Sequence, residues 1–228
     1  LRAANSAASA SHSTITTVRE AVVRLGRSTM LTLGFGPKVR QQLQEAVPEF
    51  GLAENMLWRH SVAAALAAES MGSMCKAQIP PESYAAALLH DVGKLVLARF
   101  LDPDRLSYLQ RSQNEGHCNP LQAEMEILEV NHAELGGLVA RHWGLPERIA
   151  LGIQYHHDPG DDHPLVCHVA CVANILAKSV LPEIEAKPPY PENHTASFTL
   201  LGIDAALEKR ICQAVSARFA KVLDLFGM

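Results

Sequence analysis

The chain has 228 residues, twenty basic and twenty-four acidic side chains, and a formal net charge of −4, a size for one large domain or two small ones around a sizeable core. A hydrophobic fraction of 48% with mean hydropathy near zero excludes a disordered or membrane-embedded chain and reads as soluble and globular. Slight acidity without a basic block excludes a dedicated nucleic-acid binder, which needs a cationic stripe. The most apolar stretch, 165–177, contains His168 and Asn174 and is shorter than the roughly 18 residues of a membrane span. Five cysteines are scattered, and the opening LRAANSAASASHS has no apolar signal core, so a reducing, cytoplasmic setting is expected. The chain opens without Met and inside a helical pattern, and its first helix is expected to be truncated.

Alanine is abundant, and the periodicity is helical rather than alternating. Thr17-Val-Arg-Glu20 forms a capping box for a helix ending near Gly26, and TMLTLGFG is the one window with an ambiguous pattern. Pro37 opens a helix through VRQQLQEAV. A helix from Asn55 to Met71 carries His60, and Pro80-Pro81-Glu82 starts the single helix SYAAALLHDVGKLVLARFL. Asn131 caps HAELGGLVARHWG, and Pro146 precedes ERIALGIQYHH. The turn-rich DPGDDHP leads to the helix LVCHVACVANILAKSVL. These elements predict an all-α bundle over 1–180, a Pro-rich loop over 181–196, and a C-terminal segment over 197–228 whose helix, Ala205 to Phe226, packs back on the domain.

Eleven histidines are many for this length, and six residues stand in a suggestive order: His60, His90-Asp91, His132 and His156-His157. A helical bundle can direct such side chains from facing helices into one metal site. Imidazole with carboxylate suits iron, manganese, zinc or nickel, and the ligand set does not choose among them. A carboxylate beside a histidine can bridge two ions, which together activate water and clamp a phosphoryl group. Any one of these histidines alone is more often an ordinary core or surface residue. Neighbours such as His156 and His157 diverge by about 100° on a helix, which makes joint ligation harder. Weaker signals read as structure: Cys167, His168 and Cys171 as buried core, His117-Cys118 as an exposed loop, and Trp143 as a core anchor at a helix end.

The strings LWRHSVAAALAA, AALLHDVGKLVLARF, NHAELGGLVARHWGLPERIALGIQYHHDP and VCHVACVANILA resemble the HDOD family (HD-related output domain) of the HD superfamily. The likeness runs to about residue 180. It implies an HD-domain-like helical fold and a bacterial signalling module, with protein partners and no membrane or direct nucleic-acid contact. Metal-dependent phosphohydrolases of the wider superfamily share the pattern His, His-Asp, Asp. His60 matches the first histidine and His90-Asp91 the pair, but the position of the closing aspartate holds Asn174. His132, His156 and His157 match additional histidines of the dinuclear HD-GYP phosphodiesterases, which the chain also resembles, and the segment after them lacks the GYP signature. Lys94 matches a phosphate-contacting position, so Asp91 and Lys94 are the catalytic pair if the protein is an enzyme.

Asparagine at 174 removes a charge and leaves Asp91 as the one matched carboxylate, so two divalent ions would be under-neutralised unless an acid such as Glu134 or Asp161 compensated. The sequence therefore favours a signalling module that retains a histidine-rich metal site without turnover. The alternative is a metal-dependent phosphohydrolase or cyclic-dinucleotide phosphodiesterase, with a nucleotide or cyclic dinucleotide as its ligand.

Overall fold

The computed structural model describes residues 37–102, 104–105, 107–109, 120–181 and 194–226. The capping box at 17–20, the TMLTLGFG window, His117-Cys118 and most of the Pro-rich loop lie outside them. Among the described residues there is no strand, and Val47 and Leu52 form one isolated antiparallel bridge. No helix among them is long and apolar enough to cross a membrane.

In chain order, α1 is Pro37–Gln44, α2 Met56–Met74, α3 Ser83–Leu89, α4 Val92–Leu97, α5 Pro120–Leu128 and α6 His132–His142. Then follow α7 Glu147–Gln154, α8 Leu165–Val180, α9 Thr195–Leu201 and α10 Ala205–Phe226. Helix α2 packs on α8, α3 and α10, whereas α7 packs on α6, α8 and α3. Residues 63–65 and 67–68 of α2 are buried alanines, so small side chains let its backbone approach its neighbours closely. The larger core joins Leu57, Val62 and Leu66 of α2 to Val172 and Leu176 of α8 and Ile211, Val215 and Phe219 of α10. A smaller core joins Ala86 and Leu89 to Ala140, Ile153 and Val166.

The structure departs from the sequence reading at several ends. The expected helix over 83–101 is broken at His90-Asp91, where Asp91 (φ −97°, ψ 8°) leaves helical geometry and α4 starts afresh. Just after the break, a Cβ on Gly93 would lie 1.9 Å from the His132 carbonyl oxygen, so α4 meets α6 backbone to backbone. Helix α1 stops at Gln44, because Val47 turns away to pair with Leu52. Helix α7 ends at Gln154 and leaves His156 and His157 on the following turn, so the divergence expected on a helix does not apply. The C-terminal segment holds the additional helix α9, stopped by left-handed Gly202 at φ 66°. Trp143 is not a core anchor. It is 45% exposed beyond the end of α6, where Gly144 at φ 69° reverses the backbone and the indole projects outward.

Candidate metal centre

Two helices, a break between two helices and a turn deliver the histidines. His60 comes from the second turn of α2, and His90 and Asp91 from the break between α3 and α4. His132 opens α6, where the Asn131 side-chain oxygen accepts from the Glu134 backbone N–H at 2.9 Å, the cap its sequence predicts. His156 and His157 follow α7. All six residues meet in one pocket. His60, His90, Asp91, His132 and His156 are buried, and His157 is half-buried.

Asp91 stands at the centre. Its Oδ2 lies 3.4 Å from His90 Nε2, 3.7 Å from His60 Nε2 and 2.7 Å from Lys94 Nζ. Its Oδ1 faces the other way, 3.2 Å from His132 Nε2 and 3.8 Å from His156 Nε2, with no well-formed hydrogen bond. Two trios result: His60, His90 and Asp91, and His132, His156 and His157. Within each, the potential ligand atoms lie within 4.8 Å of one another.

Three rings are held by their outer nitrogens. His90 Nδ1 donates to the Ala87 carbonyl and His156 Nδ1 to the Ile153 carbonyl, both at 2.7 Å. His132 Nδ1 reaches both oxygens of Glu124, at 2.9 and 2.8 Å, and its backbone N–H donates to Glu124 Oε2 at 2.7 Å. A neutral imidazole that donates through Nδ1 presents a lone pair at Nε2. Backbone carbonyls and carboxylates in this outer position are what orient metal-ligating histidines.

Charge follows from this geometry. Burial lowers the His60 and His156 pKa values well below the usual imidazole range, reinforced by neighbouring histidines and partly opposed by Asp91. For Asp91 burial acts upward, but His90, Lys94 and the His132 contact outweigh it and hold the carboxyl well below its usual range. Burial would lower His132, yet Glu124 overcomes it and raises the value, while Glu124 is itself lowered against its burial by His132.

Glu124 is the acid the sequence reading missed. It named Glu134 and Asp161 as acids that could compensate, but Glu134 acts through its backbone N–H in the cap and Asp161 is exposed on the turn after His157. Glu124 lies on α5, an element not read from the sequence. Its signal was a charged residue three after Leu121 and four before Leu128, on the stripe that a helix opened by Pro120 turns inward. Asn174, from α8, places its side-chain oxygen 3.0 Å from His60 Nε2, and His60 Nε2 is also 3.1 Å from His90 Nε2.

The remaining candidates do not join the pocket. Cys167 is core, with its thiol pushed up to about 11 by burial, and Cys171 Sγ lies 3.2 Å from His194 Nδ1. His168 Nδ1 lies 3.0 Å from Ser197 Oγ and ties α8 to α9. Beside His157 a cavity of about 440 Å³ is lined by Asp158, Asp161, His168, His194 and Ser197 among others.

The residues fit a divalent transition metal. Donors about 2.0–2.1 Å from one ion lie roughly 3.0–3.4 Å from one another, and His132 Nε2 is 3.1 Å from His157 Nε2 and 3.2 Å from Asp91 Oδ1. Buried Asp91 Oδ1 and His156 Nε2 make no hydrogen bond, as expected of atoms kept for a cation.

Residues 1–159 match the HDOD domain family. An uncharacterized protein of Treponema pallidum (strain Nichols) is 27% identical over 179 residues, which are 77% of this chain. The alignment spans only 33% of that relative. A solved HDOD domain protein of unknown function from Geobacter sulfurreducens superposes with a TM-score of 0.71 at 23% identity, covering 100% of this chain and 82% of that one. A structure described as a proposed phosphohydrolase from Shewanella amazonensis SB2B gives 0.69 at 23% identity, covering 98% and 80%. At this identity both likenesses show the fold alone.

Proposed function

The chain belongs to the HDOD family, and we propose that it is a regulatory, cytoplasmic signalling module whose histidine pocket binds a divalent transition metal without turning over a phosphodiester. The observation that carries this reading is the setting of Asp91. This buried carboxylate lies among imidazole nitrogens, three of whose rings, those of His90, His132 and His156, are fixed from behind, while Asn174 occupies the position that the superfamily resemblance gives to a closing aspartate. A bound divalent ion would supply positive charge and Lewis acidity at this point. His132 and His156 orient lone pairs toward it, Asp91 neutralises it, and the two cores exclude bulk water around it. Partners in such a role are other signalling proteins that respond to the state of the bundle.

The test is elemental analysis of protein purified without chelator, followed by hydrolysis assays on cyclic dinucleotides, nucleotides and a generic phosphodiester with added manganese or iron. Metal retained by the unmodified chain and lost from Asp91→Ala, with turnover no greater than that variant's background, is the expected result. Robust turnover abolished by Asp91→Ala would establish the hydrolase alternative, in which Lys94 grips substrate phosphate. Absence of metal at every stage would remove the metal site.

A further inference from the structure

The two trios offer similar ligands, but their surroundings differ. Around His60 every facing group already has a use. Asn174 accepts a hydrogen bond at His60 Nε2, the atom that would ligate, and an imidazole nitrogen that donates a proton has no lone pair for a metal. Its outer nitrogen, Nδ1, is buried and has no hydrogen-bond partner, so His60 lacks the rear support that His90, His132 and His156 have. Asp91 Oδ2 is held at 2.7 Å by the ammonium of Lys94. A cation is therefore already in place on this side, supplied by the chain.

Across Asp91 the balance reverses. Oδ1 has no well-formed hydrogen bond, and neither has His156 Nε2, whose ring is fixed from behind by the Ile153 carbonyl. Glu124 adds a second buried carboxylate behind His132. It restores to this side the charge that Asn174 does not provide on the other.

Resting on the metal-binding reading above, we infer that the protein holds one divalent transition ion, on the side of His132, His156, His157 and Asp91 Oδ1. The trio containing the His-Asp pair and His60 is closed to metal by Asn174 and Lys94. Glu124 is a positioning residue that orients His132 and supplies charge without touching the ion. The site is thus mononuclear on the side that the superfamily's shared His, His-Asp pattern does not mark.

The experiment is titration of chelator-stripped protein with Mn(II), followed by electron paramagnetic resonance, and with Zn(II), followed by elemental analysis after desalting. One ion per chain and an uncoupled Mn(II) spectrum are expected. His60→Gln should change affinity less than threefold, whereas Glu124→Gln weakens it by about 10–100-fold, the usual scale for loss of an outer contact, and His157→Gln weakens it at least as much. Asn174→Asp combined with Lys94→Met should admit a second ion and give a spin-coupled Mn(II) pair. Two ions in the unmodified chain would overturn the inference, as would His60→Gln weakening binding as much as His157→Gln, or no second ion in the double variant. Circular dichroism melts identify any variant that is unfolded, and the stoichiometry of the unmodified chain needs no variant. Failure of the unmodified chain to bind either ion would instead overturn the metal-binding reading itself, and the inference with it.

Discussion

On one side of Asp91, two imidazoles meet an asparagine and a lysine; on the other, three imidazoles meet a glutamate. Counted by residue type, the trios are nearly interchangeable. They differ in one ring and in the charge beside them: His60 is held by its inner nitrogen, whereas His90, His132 and His156 are held by their outer ones. A ligand list therefore does not define a metal site. The direction of each lone pair and the charge behind it do.

Joining the two sides too tightly should have the largest effect. Gly93→Ala puts a Cβ on the His132 carbonyl and must push α4 from α6. Denaturant unfolding should show a loss of about 3 kcal/mol, at the upper end of overpacking penalties. Removing what the sides share comes next. Asp91→Ala leaves Lys94 without its partner, but Lys94 is 20% exposed and reaches water, so the metal-free protein should lose about 2 kcal/mol, less than for a fully buried pair.

Acidity should separate the two sides more gently. The unfolded chain takes up protons on histidine below about pH 6.5. His60 and His156, with lowered values, do not follow, so their contribution is full above that pH and is lost as pH falls toward their folded values. His132, with a raised value, contributes fully below about pH 6.5 and loses that contribution as pH rises through its folded value. The melting temperature of metal-free protein should thus peak near neutrality. A curve that rises monotonically on acidification would contradict these protonation states. The smallest effect is expected from Asn131→Ala, which removes the cap before His132: about 1 kcal/mol by thermal melting, with helix content unchanged.

Much of this was legible in the sequence, for local reasons. Helices α2, α6, α8 and α10 follow their hydrophobic spacing, and the Asn131 cap is a short-range hydrogen bond. The order of the six pocket residues also anticipated their convergence. What escaped depends on contacts distant in sequence. The break at His90-Asp91 lies beside the close approach of α6 to Gly93, and His156 and His157 can face one pocket because α7 stops before them. Glu124 looked like one acid among many until α5 turned it inward, and Trp143 looked like a core residue until Gly144 reversed the chain.

The alanine-rich helix α2 has a thermodynamic consequence. Burying a leucine or methionine freezes its rotamers, whereas a buried alanine has none to lose and is the best helix former. Residues 63–65 and 67–68 therefore pack against their neighbours at the cost of backbone entropy alone. Such a segment opens last, and its amides, including those of the turn that carries His60, should exchange with deuterium only through global unfolding. His60, to which no metal is assigned, would then sit on the most rigid part of the molecule, as a fixed wall against which the other side of the pocket adjusts.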